Sequence, residues 1–196
     1  MTEQASKLMK EHYDFKDLVA LMELLRSEEG CPWDRVQTHE SIRKNLIEEC
    51  YEAIEGIDRK DDELLCEELG DILLQVVFHA QIAQDEGAFT MERVIDGICR
   101  KMVRRHPHIF SDENYSEELK AESAYFRWEQ IKQAEKDETN LESSLDRVAR
   151  TLPSLMRSQK LIKKAVQAGR QTSGERTDKE ELRKRYEALC LDAEAS

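Results

Sequence analysis

The stretch LIEECYEAIEGIDRKDDELLCEELGDILLQ, residues 46–75, sets apolar residues and carboxylates in the same helical turns. Glu48, Glu49, Glu52, Glu68 and Asp71 stand among Leu, Ile and Tyr side chains that a water-soluble chain must bury. Acids beside an apolar core are costly unless something positive joins them. A fold for this chain therefore either gathers these carboxylates where a cation can reach them or turns them to solvent.

Apolar residues recurring every three to four positions predict a series of helices. Phe15, Leu18, Val19, Met22 and Leu25 form one stripe, which Gly30 terminates, and CPWDRVQ follows as a loop. Thr38 is an N-cap for a helix reaching about Asp58, with Ile42, Leu46, Ile47, Cys50, Tyr51, Ile54 and Ile57 as its apolar side. After the polar turn DRKDD, a helix from Asp61 or Asp62 to about Asp85 ends at Gly87. Its middle, DILLQVVFHAQIA, is apolar nearly all round, which marks a central helix packed on several sides or at a subunit interface.

Thr90 caps a further helix that Pro107 ends, and PHIFSDENYS reads as a loop. EELKAESAYFRWEQIKQAEK reads as a more polar helix, DETNLESSLDR as a linker, TLPSLMRSQKLIKKAVQAG as an amphipathic stretch, and the remainder as a charged tail. Only 3 Pro and 7 Gly in 196 residues give too little turn punctuation for a sheet protein, so the fold class is all-α.

Residues three apart on a helix share a face, so Glu49 with Glu52, and Glu68 with Asp71, each form a pair of oxygen ligands. A short turn between the two helices makes them antiparallel neighbours, and the two pairs can then face one another. Four carboxylates at close range do not all stay ionised without compensation. Oxygen-only ligands suit Mg2+, with Mn2+ as a substitute, and such a centre binds phosphate oxygens and activates water. Against this stands the ordinary alternative of solvated acidic helix faces. A di-iron carboxylate bundle needs Glu-x-x-His, which no His in the chain satisfies.

EECYE followed by EELGD fits the pattern EExxE, a spacer, then ExxD; with GCPWD, RRHPHIF, WEQIKQAEK and LPSLMRSQKLIKKA it resembles the MazG nucleoside triphosphate pyrophosphohydrolases over roughly residues 14–168. The resemblance implies a helical bundle of the all-α NTP pyrophosphatase type, oligomeric at least to a homodimer. It also implies Mg2+-dependent hydrolysis of a nucleoside triphosphate to a nucleoside monophosphate and pyrophosphate. Carried over by position, Glu49, Glu52, Glu68 and Asp71 match the metal ligands, and Glu48 is a further ligand or a general base. The matching domain is expected over 14–138, with 139–196 forming a linker, an amphipathic helix and a charged tail. Longer members repeat the domain, whereas this sequence continues into the tail and reads as a single-domain form.

A triphosphate also calls for basic partners. Lys101 and Arg105, spaced i to i+4, with Arg104 beside them, are candidates for binding substrate, and Trp128 with Lys132 match nucleotide-binding positions of the family. Trp33 could wall the pocket. The competing readings are that Arg104 and Arg105 complement a helix C-terminus, that Trp128 packs half-buried, and that a Pro-Trp loop pinned to the core holds Trp33. His106 and His108, on either side of Pro107, read as structural.

A net charge of −12 argues against duplex nucleic acid as a partner, while metal ions still permit a phosphorylated small molecule. Five cysteines without a CxxC pair suggest reduced thiols and a cytoplasmic protein. Neither a signal-peptide core nor the roughly 20 apolar residues of a membrane span is apparent. The rival from another class is an acidic helical interaction module without catalytic activity.

Overall fold

The computed structural model describes residues 3–110, 121–135 and 141–167, and among these every regular element is a helix. Two compact units divide the chain, Met1–Asn114 and Tyr115–Ser196. The first holds α1 (Glu3–Leu8), α2 (Phe15–Arg26), α3 (Pro32–Arg35), α4 (His39–Arg59), α5 (Asp62–Asp85), α6 (Met91–Arg105) and α7 (Pro107–Phe110). The second holds α8 (Ala121–Ala134), α9 (Leu141–Asp146) and α10 (Ser154–Gln167). None of the described helices is long and apolar enough to cross a membrane.

Local hydrogen bonds set the helix starts. The Asp14 carboxylate accepts from the backbone N–H groups of Lys16 and Asp17, and Asp17 returns the bond to Asp14 N. Thr38 caps α4 as the sequence indicates, its hydroxyl accepting from Ser41 N while Ser41 Oγ accepts from Thr38 N. Lys60 then takes the left-handed conformation at φ 55°, its N–H bonding to the carbonyls of Gly56 and Ile57. Asp61 caps α5 by accepting from Leu64 N at 3.1 Å. Two residues thus reverse the chain, and α4 and α5 run antiparallel.

α5 is the central element, packing on α4, α2 and α6. Met22, Ile42, Val77, Phe78, Ala80, Ile82 and Met91 form the buried core. Arg26 ties this core to the loop before α4. Its Nε donates to Asp85 at 2.7 Å, its Nη1 donates to the carbonyls of Asp34 and Gln37, and its guanidinium lies over the Phe78 ring. The loop around Trp33 is therefore pinned to α2 and α5, and its CPWDRVQ segment contains the single helical turn α3.

Other boundaries differ from the sequence reading. Ser27, not Gly30, is the C-cap of α2. Thr90 occupies the N-cap of α6 without capping it through its side chain. The stretch called a loop at PHIF is α7, and the linker contains α9. The tail beyond Gln167 and the segment 111–120 lie outside the described residues. Most of the expected apolar side of α4 is exposed: Ile42 is buried, whereas Ile47, Tyr51, Ile54 and Ile57 face solvent.

Gly56 lets α4 and α5 approach near their turn. A Cβ there would lie 3.0 Å from Leu65 N and 3.1 Å from Leu65 Cα, both backbone atoms, whereas a Cβ at Gly70 meets nothing within 4 Å. Gly56→Val is therefore expected to destabilise the protein by about 1–3 kcal/mol. Gly70→Ala should instead stabilise α5 by about 0.5–1 kcal/mol. Urea unfolding of both variants checks the contrast; equal effects would show that the close approach carries no energetic weight.

Candidate metal centre

The antiparallel hairpin aligns position 49 of α4 with positions 68 and 71 of α5. One carboxylate oxygen from each of Glu49, Glu68 and Asp71 lies within 4.8 Å of the others. Glu68 is 7% exposed, and Glu49 and Asp71 are half-buried. The trio therefore sits at the seam between the helices, not on an open acidic face.

Burial pushes the Glu49 carboxyl above the usual carboxylate range, reinforced by the charges of Asp71 and Glu52 and by a hydrogen bond with Glu52. Glu68 is raised in the same way, first by burial and then by the charges of Glu52, Glu49 and Asp71. Its Oε2 is buried and has no hydrogen-bond partner. A desolvated, unpartnered carboxylate oxygen among like charges is the setting a cation relieves, and an all-oxygen donor set matches a hard divalent ion. The residues fit such an ion.

Glu52, expected as a fourth ligand, lies outside the converging trio. It is exposed, yet it contributes to raising the Glu49 carboxyl and its charge acts on Glu68. Glu48 is also exposed, one residue further round the helix from Glu49. Of the basic candidates on α6, Lys101 and Arg104 are exposed and Arg105 is buried. Arg104 and Arg105 stand in the last turn of α6, where positive charge also complements the helix dipole. Trp33 on α3 is 59% exposed.

In the second unit the structure brings Trp128 and Lys132 together on α8, with Lys132 Nζ 4.7 Å from the centre of the indole. Sequence reasoning missed their neighbours. Tyr125 stacks on Trp128 with ring centroids 6.3 Å apart, and Lys163 of α10 donates to Tyr125 Oη at 3.2 Å. The i to i+3 spacing of Tyr125 and Trp128 was the available signal; nothing local announces Lys163. His106 donates from Nδ1 to the Met102 carbonyl at 2.6 Å, as a structural histidine does.

These features define a class: among the described residues, an all-helical protein whose two longest helices gather three carboxylates into a candidate site for a divalent cation. Residues 37–110 match the family described as MazG nucleotide pyrophosphohydrolase domain. The nucleoside triphosphate pyrophosphohydrolase/pyrophosphatase MazG of Thermotoga maritima is 50% identical over 156 residues, spanning 79% of this chain and 58% of that protein. The nucleoside triphosphate pyrophosphohydrolase of Escherichia coli K12 is 46% identical over 156 residues, spanning 78% of this chain and 57% of that protein. The chain thus spans little more than half the length of these relatives. The crystal structure of a MazG-related protein from Thermotoga maritima is similar with a TM-score of 0.50 and 28% identity, covering 60% of this chain and 98% of that one.

Proposed function

We propose that the chain hydrolyses nucleoside triphosphates to nucleoside monophosphate and pyrophosphate with Mg2+, for which Mn2+ can substitute. The observation that carries this reading is the convergence of Glu49, Glu68 and Asp71 oxygens, one of the Glu68 oxygens being buried without a partner. The named activity of the MazG relatives supports it.

In this reading Glu49, Glu68 and Asp71 would hold the ion from opposite sides of the helical seam, with Glu52 as the fourth ligand. A divalent cation bound there stabilises charge on phosphate and lowers the pKa of a bound water. Packing of α4 against α5 fixes the ligand oxygens before substrate arrives, so little reorganisation is needed. Glu48, exposed beside Glu49, accepts the proton of the attacking water or adds a further ligand. In the first unit Lys101, Arg104 and Arg105 would offer positive charge and Trp33 an aromatic face to substrate; within the second unit Trp128 and Lys132 are the positions proposed for nucleotide binding. The catalytic domain is assigned to 14–138, with 139–196 accessory to it.

A homodimer or larger homo-oligomer belongs to the same proposal. Ile47, Tyr51 and Ile54 of α4 and Leu69 of α5 are each about half exposed, and a second copy would cover them.

Turnover of a panel of ribo- and deoxyribonucleoside triphosphates with Mg2+ in 18O-labelled water tests the chemistry. Release of pyrophosphate with the label in the monophosphate is expected, and Glu52→Gln should slow it. Label in the released phosphate product, or orthophosphate as the sole product, would contradict attack at the α-phosphorus. No turnover, together with salt-sensitive capture of a basic protein, would favour an acidic interaction module.

A further inference from the structure

Both ends of the α4–α5 hairpin are fixed by contacts that the carboxylate chemistry does not use. At the turn, Gly56 brings the two backbones together. At the open end, His39 Nδ1 and His79 Nδ1 lie 2.7 Å apart, with the ring planes within 10° and the centroids 5.0 Å apart. The centroid separation exceeds the nitrogen separation by the length of two imidazole radii. The rings therefore share nearly one plane and meet head to head, so their lone pairs point at one another and not jointly at a third atom. This geometry is a hydrogen bond, not a metal clamp.

One proton serves such a contact: one Nδ1–H donates and the other Nδ1 accepts. The buried environment decides which. His79 Nε2 is buried without a partner. If His79 accepted at Nδ1, its own proton would sit on Nε2 as an orphaned buried donor. If it donates from Nδ1, Nε2 is a bare acceptor, which interiors tolerate better. His79 therefore donates to His39, and the half-buried His39 carries its proton on Nε2.

The pair shares a stripe with the acidic centre. Glu68, Asp71, Gln75 and His79 follow at intervals of three and four along α5, and His39 stands ten residues before Glu49 on α4, about 15 Å along the axis. We propose that the His39–His79 bond is a positioning element for the carboxylate centre: it locks the N-terminal end of α4 to α5 through one shared proton, sets the register in which Glu49 meets Glu68 and Asp71, and opens when a further proton is added. The role rests on the reading of those carboxylates as cation ligands.

A further proton has two places to go. On His79 Nε2 it is buried without an acceptor; on His39 Nδ1 it sets two N–H groups against each other and breaks the bond. The surroundings offer little compensation. On α4, the Glu40 carboxylate near His39 also feels Arg43, and it is held below its usual range mainly by its own backbone N–H and Thr38. Arg26 of α2 is committed to Asp85 of α5, and the α6 residues packed on the core, Met91 and Val94, are apolar. Burial first, and the His39 charge second, hold His79 below the ordinary 6.5. Stability from the pair is therefore complete above pH 6.5 and is lost as the pH falls through the lower folded value.

Long-range 1H–15N NMR of the metal-free full chain reads the tautomers directly. Expected are His79 protonated at Nδ1 and bare at Nε2, and His39 protonated at Nε2; the amides of residues 42–46 should lose exchange protection as His79 takes up a proton. A His79 proton on Nε2, or protection unchanged through that titration, would overturn the latch. For the positioning role, Mn2+ affinity read by electron paramagnetic resonance should fall about tenfold in His79→Leu and return to within about threefold in His79→Asn, which restores an N–H donor. Wild-type Mn2+ affinity in His79→Leu would overturn positioning with the latch intact. A wild-type protein that binds no Mn2+ yet shows the expected tautomers would sink the cation reading and with it the positioning role, leaving the latch as a purely structural contact.

Discussion

Glu68→Gln should reduce pyrophosphate release by about 10²–10³-fold, the usual cost of losing one preorganised electrostatic group, while raising the melting midpoint of the metal-free protein. The two effects have one origin. Glu68 is buried, one of its oxygens has no partner, and the charges of Glu52, Glu49 and Asp71 all oppose its ionisation. A neutral amide of the same shape removes that repulsion and can donate to a neighbouring carboxylate, but it cannot hold a cation as an anion does. A pyrophosphate-coupled assay at saturating Mg2+ and a melt in EDTA measure the two effects. Activity within about threefold of wild type would remove Glu68 from the machinery, and a lower midpoint would show that its burial is compensated in some other way.

The stabilisation conferred by Mg2+ should collapse as the pH is lowered. Glu49 and Glu68 both hold protons more tightly in the folded protein than the ordinary 4.5 implies. Without metal, their contribution to stability is present below pH 4.5 and is lost as the pH rises through their raised folded values. Binding a cation requires both to be ionised, so it releases protons and weakens across the same window. At an Mg2+ concentration a hundredfold above Kd the gain is about 2.7 kcal/mol, read as a higher melting midpoint. This gain should be full well above the raised folded values of Glu49 and Glu68 and should shrink as the pH falls through them. Calorimetric titration in buffers of different ionisation enthalpy should show proton release on binding. A gain independent of pH, with no protons released, would place the ion elsewhere.

The parts of the fold legible in the sequence are those fixed by local chemistry. Thr38 and Asp61 cap helices through hydrogen bonds three residues long, so the limits of α4 and α5 follow from nearby residue types. The acidic pairs were visible because residues three apart on a helix share a face. That rule does not say how wide the face is. Glu49 and Glu52 lie on adjacent edges of it, and only Glu49 converges with Glu68 and Asp71.

Apolar periodicity groups Ile47, Tyr51 and Ile54 on one side of α4 but does not supply what covers them, and the single chain leaves them exposed. The single-turn α3 and α7 are too short to show a period. Thr90 has the composition of a cap, yet its side chain makes no cap hydrogen bond. The His39–His79 bond spans 40 residues of sequence, a separation over which spacing carries no signal.

Anomalous diffraction at the Mn2+ edge from crystals grown with that ion tests the central claim most directly. A peak about 2.1 Å from oxygens of Glu49, Glu68 and Asp71 is expected. Density for those carboxylates turned apart into solvent, with the ion absent or bound at another place, would contradict the account.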